Sequence, residues 1–188
     1  MKRVYIVRHP EITMHGRYIG ITDSELSKTG RKQLYSIINY FKDIHLETIV
    51  SSPMKRCIIP TRILSDIKHV PYTIDPDLSE IDFGAWEGLS YKEIMEKYHE
   101  GWAEYMARPL NFTFPGGDDV SQYIDRCVKN FKNNTEGIDG DLLFLTHAGY
   151  INSIISAVFL KDGKQFFNVG CKYATGYLIN ERGFSKIL

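Results

Sequence analysis

The sequence predicts one α/β domain over residues 1–188, with three layers: a mainly parallel central sheet, helices on both of its faces, and an antiparallel edge strand near the C-terminus. Two observations lead to this prediction. Short runs of continuously apolar residues alternate with segments whose apolar residues recur at helical spacing, which is the pattern of a parallel α/β sheet. The apolar runs lack polar alternation, so we expect each strand to be buried on both sides.

Three apolar runs are the predicted core strands. They cover residues 4–7, 48–50 and 142–145, and their lengths suit strands rather than helices. A shorter extended segment is predicted over 71–74, and residues 174–180 and 184–187 are predicted as one or two edge strands. Right-handed crossovers between parallel strands place the carboxyl ends of the core strands at one edge of the sheet.

Capping residues mark the starts of three predicted helices. Ser27, Ser90 and Asp119 each precede a run of apolar residues at helical spacing, and short polar side chains at that position bind the free amides of a first turn. Glu93 follows Ser90 at the spacing of a capping box. A buried helix is also predicted over 151–159.

Proline and glycine residues set the predicted limits of the other helices. Pro53 is expected to open the helix that carries Arg56, because proline is favoured in a first turn. Pro60 lies inside that helix, where it removes a backbone hydrogen bond and predicts a kink or an early break. Gly101 and Pro109 are predicted to divide or end the helical region in the middle of the chain.

The composition is that of an ordinary soluble protein and makes several kinds of partner unexpected. Hydrophobic residues make up 43% of the chain, charged residues 24%, and the formal net charge is zero, so we expect neither nucleic acid nor a membrane as partner. Cys57, Cys127 and Cys171 match no disulfide or zinc spacing, which predicts reduced thiols and a cytoplasmic location. The first strand begins at Val4 and no apolar run is long enough to cross a bilayer, so neither a signal peptide nor a membrane span is expected.

Polar residues follow each of the three core strands. Arg8 and His9 come directly after the first strand, Arg56 lies just beyond the second, and His147 follows the third. Taken singly, each of them is more commonly a solvated residue at a strand end. Ligands of open α/β sheets bind at the carboxyl edge, so together these residues predict one pocket that holds two arginines and two histidines.

Two arginines beside two histidines predict a site for a compact dianion such as a phosphoryl group. Guanidinium N–H groups match the spacing of phosphate oxygens, and a neutral imidazole is a competent nucleophile toward phosphorus. The protein supplies the positive charge, so no metal and no cofactor are expected. A leaving oxygen also needs a proton from an acid such as a carboxylic acid; Glu80, Asp82 and Glu87 are candidates that the composition of their loop does not separate.

Five motifs, taken in this order, resemble the histidine phosphatase superfamily, which includes phosphoglycerate mutases and α-ribazole phosphatases. They are Arg8-His9 after an apolar strand, Ser51-Ser52-Pro53-Met54-Lys55-Arg56, the loop 78–88 from Leu78-Ser79-Glu80 to Trp86-Glu87-Gly88, Pro115-Gly116-Gly117, and Thr146-His147-Ala148-Gly149. Together they span residues 4–149. The resemblance implies a phosphoglycerate mutase-like form of the predicted fold.

The resemblance also implies a role for each matching residue. His9 is implied as the nucleophile that becomes phosphohistidine, Arg8 and Arg56 as ligands of the phosphoryl group, His147 as support for the phosphate and the transition state, and Glu80 as the proton donor. Thr22 matches a weaker motif in a loop that borders the pocket, and it is implied as a substrate contact.

Pro10 departs from the family pattern, because many members have glycine after the nucleophile. Proline has no N–H to contribute to a site, and it stiffens the loop. An Arg-His-Pro sequence followed by a segment such as residues 16–23 is similar to some α-ribazole phosphatase-like members. The departure therefore bears on the identity of the substrate rather than on the chemistry.

The function implied by the resemblance is a metal-independent phosphomonoesterase that acts through phosphohistidine on a small phosphorylated metabolite. The expected substrate is α-ribazole 5'-phosphate, an intermediate of cobalamin nucleotide-loop assembly. Phosphoglycerate mutase and broad-specificity sugar phosphatase are the alternatives within the family, although the chain lacks the insertions with which mutases close over their substrate. The alternative from another class is a catalytically inactive phosphate-binding module. A homodimer is compatible with the sequence.

Overall fold

Six strands form one mixed sheet in the computed structural model, which describes residues 2–188. The strands are β1 (Val4–Arg8), β2 (Thr48–Ser51), β3 (Tyr72–Ile74), β4 (Leu142–Thr146), β5 (Gly176–Asn180) and β6 (Gly183–Ile187). Their order across the sheet is β3-β2-β4-β1-β5-β6. The first four run parallel to one another, and the two C-terminal strands pair antiparallel. The predicted fold class is confirmed.

Six α-helices accompany the sheet within residues 2–188. They are α1 (Lys28–Phe41), α2 (Lys55–Lys68), α3 (Tyr91–Lys97), α4 (His99–Ala107), α5 (Val120–Thr135) and α6 (Ala148–Ser153). The chain after α6 continues as a π-helical segment, Ile154–Phe159. As predicted, Ser27 caps α1, Asp119 caps α5, and a capping box of Ser90 and Glu93 opens α3. None of the helices described is long and apolar enough to cross a membrane.

Apolar side chains from β1 enter separate cores on the two faces of the sheet. Tyr5 and Val7 pack in the core that contains residues of α1 and α2. Val4 and Ile6 pack in the opposite core, with residues of α5 and α6. All four are at most 5% exposed. The unbroken apolar run of the strand is therefore explained by burial on both sides.

The parallel strands bring their polar carboxyl ends together. Arg8 is in register with Thr146 across β1 and β4, and the His9 backbone N–H donates to the Thr146 carbonyl at 2.9 Å. On the other side of β4, the Ser52 N–H donates to the Leu145 carbonyl at 3.0 Å. The residues that follow the three core strands consequently lie side by side at one edge.

Two boundaries near proline and the C-terminus differ from the prediction. Helix α2 begins at Lys55 rather than Pro53, and it runs through Pro60 without the early break. The buried face of α2, which includes Pro60 itself and Leu64, packs on the sheet and offsets the missing hydrogen bond. The predicted edge strand over 174–180 is an interior strand, because β5 pairs with β1 on one side and β6 on the other. The antiparallel edge strand is β6.

Two helix limits in the second half of the chain also differ. The break between α3 and α4 falls at Tyr98, whereas Gly101 lies inside α4. A β-carbon at Gly101 would lie 3.7 Å from the Trp86 ring, which is an ordinary van der Waals contact, so neither crowding nor a helix end accounts for this glycine. Pro109 follows the end of α4, as predicted. The helix predicted over 151–159 begins earlier, at Ala148.

The Trp86 indole is the centre of an aromatic cluster that anchors the loop 78–88. The side chain is fully buried. Six aromatic rings have centroids within 6.5 Å of it: Tyr18, Tyr98, Trp102, Tyr105, Phe112 and Phe114. The loop that carries Glu80 is thereby joined to α4 and to the segment that precedes α5.

We predict that Trp86→Ala lowers the free energy of unfolding by about 3–5 kcal/mol, because it removes a large buried ring and leaves a cavity. Urea unfolding followed by circular dichroism measures the change. Tyr35→Ala is the control: Tyr35 is 68% exposed, and its loss should change the stability by no more than about 0.5 kcal/mol. Equal effects of the two substitutions would contradict the anchoring role of Trp86.

Candidate active site

A cavity of about 270 Å³ opens at the carboxyl edge of the sheet. Arg8, His9 and Glu80 form its polar inner end. Arg56 and His147 lie beneath this end, fully buried, and the His147 ring centroid is 5.1 Å from that of His9. Five side chains predicted from three strand ends and one loop therefore meet in one place.

His9 is held as a neutral imidazole with one nitrogen free. Its Nδ1 lies 2.8 Å from the Pro10 carbonyl oxygen, and because a carbonyl only accepts, Nδ1 carries the proton and Nε2 keeps its lone pair. Burial lowers the pKa of His9 well below its usual value, and the charges of Arg56 and Arg8 lower it further. An unprotonated Nε2 is the form that a nucleophile requires.

Pro10 is compatible with this arrangement, although it departs from the family pattern. The contact to His9 uses the carbonyl of Pro10 and not its backbone nitrogen. The N–H that proline lacks is therefore not needed to fix the imidazole. The fixed φ of proline restricts the segment that positions this carbonyl.

His147 has both ring nitrogens engaged by the protein. Arg56 Nε donates to Nδ1 at 3.3 Å, so the proton of the neutral ring lies on Nε2, which is 2.8 Å from Ser52 Oγ. Burial lowers the pKa of His147 well below its usual value, and Arg56 lowers it further. The predicted support of a phosphate by His147 remains a prediction, whereas its contact with Arg56 is observed.

Arg56 is a fully buried cation held by backbone carbonyls. Besides Nε, its Nη1 donates to the Thr22 carbonyl at 2.8 Å and its Nη2 to the Gly20 carbonyl at 2.5 Å. These three bonds leave two of the five guanidinium N–H groups for an anion. Thr22 contacts Arg56 through its backbone and is not among the cavity-lining residues, so its role as a substrate contact stays a prediction.

Arg8 lies between a backbone carbonyl and an aromatic ring. Its Nη1 donates to the Cys171 carbonyl at 2.7 Å, and its guanidinium carbon lies 3.9 Å from the centroid of the Tyr173 ring. Its Nε is buried with no hydrogen-bond partner among residues 2–188. Within the same described part of the chain, no carboxylate forms a salt bridge with Arg8 or Arg56. Buried charges are normally paired, so the two guanidinium groups are suited chemically to an anion.

Glu80 is the carboxylate that faces the cavity, of the three candidates in its loop. Its Oε1 accepts hydrogen bonds from the Gly149 N–H at 3.1 Å and from the Tyr123 hydroxyl at 3.1 Å. Asp82 instead accepts from the Gly84 N–H, and Glu87 accepts from backbone N–H groups of residues 20–22 and 83. The geometry therefore favours Glu80 as the group that exchanges a proton with a ligand.

Position 149 requires glycine, because the Glu80 carboxylate occupies the space that a side chain at this position would need. A β-carbon at Gly149 would lie 2.2 Å from Glu80 Oε1 and 3.0 Å from the Tyr123 hydroxyl oxygen. Helix α6 thus presents a bare backbone N–H to the carboxylate. The sequence does not indicate that Gly149 and Tyr123 bind the Glu80 carboxylate. Gly149 belongs to the Thr146-His147-Ala148-Gly149 motif, and Tyr123 lies on the buried face of α5.

The outer part of the cavity is mainly aromatic. Its lining includes Tyr18, Phe83, Tyr105, Phe114, Phe166 and Phe167. Phe83 packs its ring on Phe114 and also lines the cavity. Arg17 also lines the cavity, and it forms a salt bridge with Glu93 at 2.8 Å.

Tyr173 and Asn152 are cavity residues that sequence reasoning missed. The chain has 12 tyrosines, and no local pattern distinguishes the one that stacks on Arg8. Asn152 lies one turn beyond the Thr146-His147-Ala148-Gly149 motif. Its place on the same helix face as Ala148 is the signal that could have identified it.

We predict that stability falls as the pH is lowered from 7 to 5. His9 and His147 have folded-state pKa values well below the ordinary 6.5, so below that pH the unfolded chain binds protons that the folded chain does not. The contribution of the two neutral imidazoles to the free energy of unfolding is complete above the unfolded-state pKa. It is lost as the pH falls, by up to about 1.4 kcal/mol per pH unit for each histidine.

Urea unfolding at several pH values in buffer without phosphate measures this slope. His9→Gln and His147→Gln should each reduce it, whereas His45→Gln, which replaces an exposed histidine, should leave it unchanged. An unaltered slope in both site variants would show that the two imidazoles are not held neutral.

Comparison with known proteins agrees with the geometry. The family model of the histidine phosphatase superfamily (branch 1) matches residues 4–183. Phosphoserine phosphatase 1 of Hydrogenobacter thermophilus is 28% identical over 184 residues, which are 96% of this chain and 87% of that protein. Relatives named as phosphatases support phosphatase activity for this chain.

Two solved structures show the same fold. A putative α-ribazole-5'-P phosphatase from Escherichia coli has a TM-score of 0.88 at 16% identity, covering 100% of this chain and 95% of that one. The α-ribazole phosphatase from Shigella flexneri has a TM-score of 0.87 at 18% identity, covering 99% and 95%. The match of the family model extends from the first strand of the sheet into the last and includes every residue of the site, and the chain belongs to the histidine phosphatase superfamily.

Proposed function

We propose that the chain is a phosphomonoesterase that transfers a phosphoryl group to His9 and then to water. Two guanidinium groups that form no salt bridge with a carboxylate of residues 2–188 lie beside an imidazole whose Nε2 is unprotonated, and this arrangement carries the proposal. A phosphate monoester supplies both the anion that the arginines lack and the electrophile that Nε2 attacks.

In the first step, His9 Nε2 forms a bond to phosphorus while the bond from phosphorus to the leaving oxygen breaks. Arg8 and Arg56 hold the phosphoryl oxygens and stabilise the charge of the transition state. Glu80, in its protonated form, gives its proton to the leaving alkoxide. His147 holds Arg56 through the Nδ1 contact.

In the second step, water attacks the phosphorus of phosphohistidine. Glu80, now a carboxylate, takes the proton of the water, the phosphorus–nitrogen bond breaks, and inorganic phosphate leaves. His9 returns to the neutral form with its proton on Nδ1. Each group therefore ends the cycle in its starting state.

The aromatic side chains that line the cavity favour a leaving group with a flat ring. We therefore propose α-ribazole 5'-phosphate as the substrate. Its benzimidazole would pack against the rings of Phe83, Phe114 and Phe166, which line the cavity. The free thiols of Cys57 and Cys127, both buried, favour a reducing compartment, and the proposed location is the cytoplasm.

Phosphoserine is the second candidate substrate, because a relative that covers 96% of this chain is named a phosphoserine phosphatase. Its ammonium and carboxylate groups need polar partners, and Arg17 and Glu80 are the charged residues near the aromatic wall. Comparison of kcat/KM for α-ribazole 5'-phosphate and L-phosphoserine decides between them. Isomerisation of 3-phosphoglycerate, assayed in parallel, tests the mutase alternative.

We predict that His9→Ala lowers kcat by roughly 10³-fold or more and abolishes acid-labile phosphorylation of the protein, since the nucleophile is removed. Phosphate release and trapping of the phosphoprotein with radiolabelled substrate measure the two effects. His15→Ala, which removes an exposed histidine, should retain both. Turnover retained in the His9 variant would overturn the mechanism.

We predict that Gly149→Ala lowers kcat by about 10²-fold, because the new methyl group displaces the Glu80 carboxylate from its working position. Gly163→Ala is the matched control, since a β-carbon there meets nothing within 4 Å. The double variant Glu80→Gln with Gly149→Ala should be no slower than Glu80→Gln alone. Additive losses would show that Gly149 acts by another route.

A further inference from the structure

The Asn152 side chain presents an unused carboxamide at the cavity. Asn152 lines the cavity, and its Oδ1 is buried with no hydrogen-bond partner anywhere in the described residues 2–188. Buried polar atoms without partners are rare in folded proteins. The two other such atoms are Arg8 Nε, on the guanidinium group beside the Tyr173 ring, and Trp86 Nε1, in the aromatic cluster.

Helix α6 places Asn152 beyond the acid, on the side of the leaving group. Gly149 and Asn152 are three residues apart in α6, so they share a face and are separated by about 5–6 Å. The Gly149 N–H binds the Glu80 carboxylate, and the proposed mechanism brings the leaving oxygen to that carboxylate. Asn152 is therefore in reach of atoms a few bonds away from the leaving oxygen.

Several residues that line the cavity together with Asn152 offer its carboxamide no hydrogen bond. Ile81, Phe166 and Phe167 have apolar side chains, and the turn Gly163–Phe167 packs against α6. Arg17, the charged side chain of the outer cavity, is paired with Glu93. A polar atom on a bound leaving group is thus the natural partner for Asn152.

We propose that Asn152 is a specificity-determining residue that binds a hydroxyl group of the leaving alcohol. A carboxamide has an acceptor end and a donor end, and rotation about χ2 exchanges them. A hydroxyl both donates and accepts, so it pairs with either end. The inference rests on the proposed function and narrows its substrate class to phosphomonoesters whose leaving group has a hydroxyl close to the ester oxygen, beside an apolar ring.

The test uses phenyl phosphate and 2-hydroxyphenyl phosphate, which differ by one hydroxyl next to the ester oxygen. We expect the wild-type protein to prefer 2-hydroxyphenyl phosphate in kcat/KM, and Asn152→Leu to reduce this preference by about tenfold. The ratio that remains in Asn152→Leu measures the intrinsic difference in reactivity between the two esters. The ratio of the two kcat/KM values is the readout, because Asn152→Leu also changes the cavity wall beside the phenyl ring.

The midpoint of thermal unfolding separates a binding role from a structural one. Asn152→Leu is expected to keep or raise the midpoint, because Oδ1 has no partner to lose among residues 2–188. Equal losses with both esters, or an unchanged ratio between them, would overturn the role of Asn152 and leave the phosphatase proposal intact. Failure of the wild type to hydrolyse either ester would overturn the phosphatase proposal itself.

Discussion

Arg8 and Arg56 bring two positive charges to the carboxyl edge of the sheet, and no carboxylate in residues 2–188 forms a salt bridge with either. Backbone carbonyls and His147 hold the two guanidinium groups without neutralising them. An isolated buried charge costs free energy. Binding of an anion beside the two guanidinium groups is therefore expected to stabilise the folded protein. The same charges help to keep both imidazoles unprotonated. The proposed anion binding and the neutral state of His9 therefore have one physical origin.

The sheet makes this arrangement possible. Parallel pairing of β4 with β1 and β2 aligns the ends of three strands, so His9 and His147 lie in neighbouring positions although they are far apart in sequence. The Pro10 carbonyl then selects the tautomer of His9. Helix α6 and Tyr123 fix Glu80 on the other side of the cavity. The site depends on backbone groups at least as much as on side chains, which is why a proline is accepted after the nucleophile.

Much of the fold and the polar end of the site could be predicted from the sequence, because their signals are local. An apolar run that ends in Arg8 and His9 is visible in a few residues, and parallel pairing then follows from the alternation of strands and helices. The rest depends on contacts distant in sequence. The interior place of β5 is set by its partners on both sides. The contact of Tyr173 with Arg8 likewise exists only after folding, and no sequence pattern around Tyr173 predicts it.

In the proposed mechanism, the Pro10 carbonyl holds the proton on His9 Nδ1 and leaves Nε2 to attack phosphorus. Nuclear magnetic resonance of the phosphorylated protein, labelled with ¹⁵N in histidine, identifies the nitrogen that carries phosphorus. We expect a phosphorus–nitrogen coupling to Nε2 of His9 and none to Nδ1. Phosphorus bonded to Nδ1, or to a residue other than His9, would contradict it.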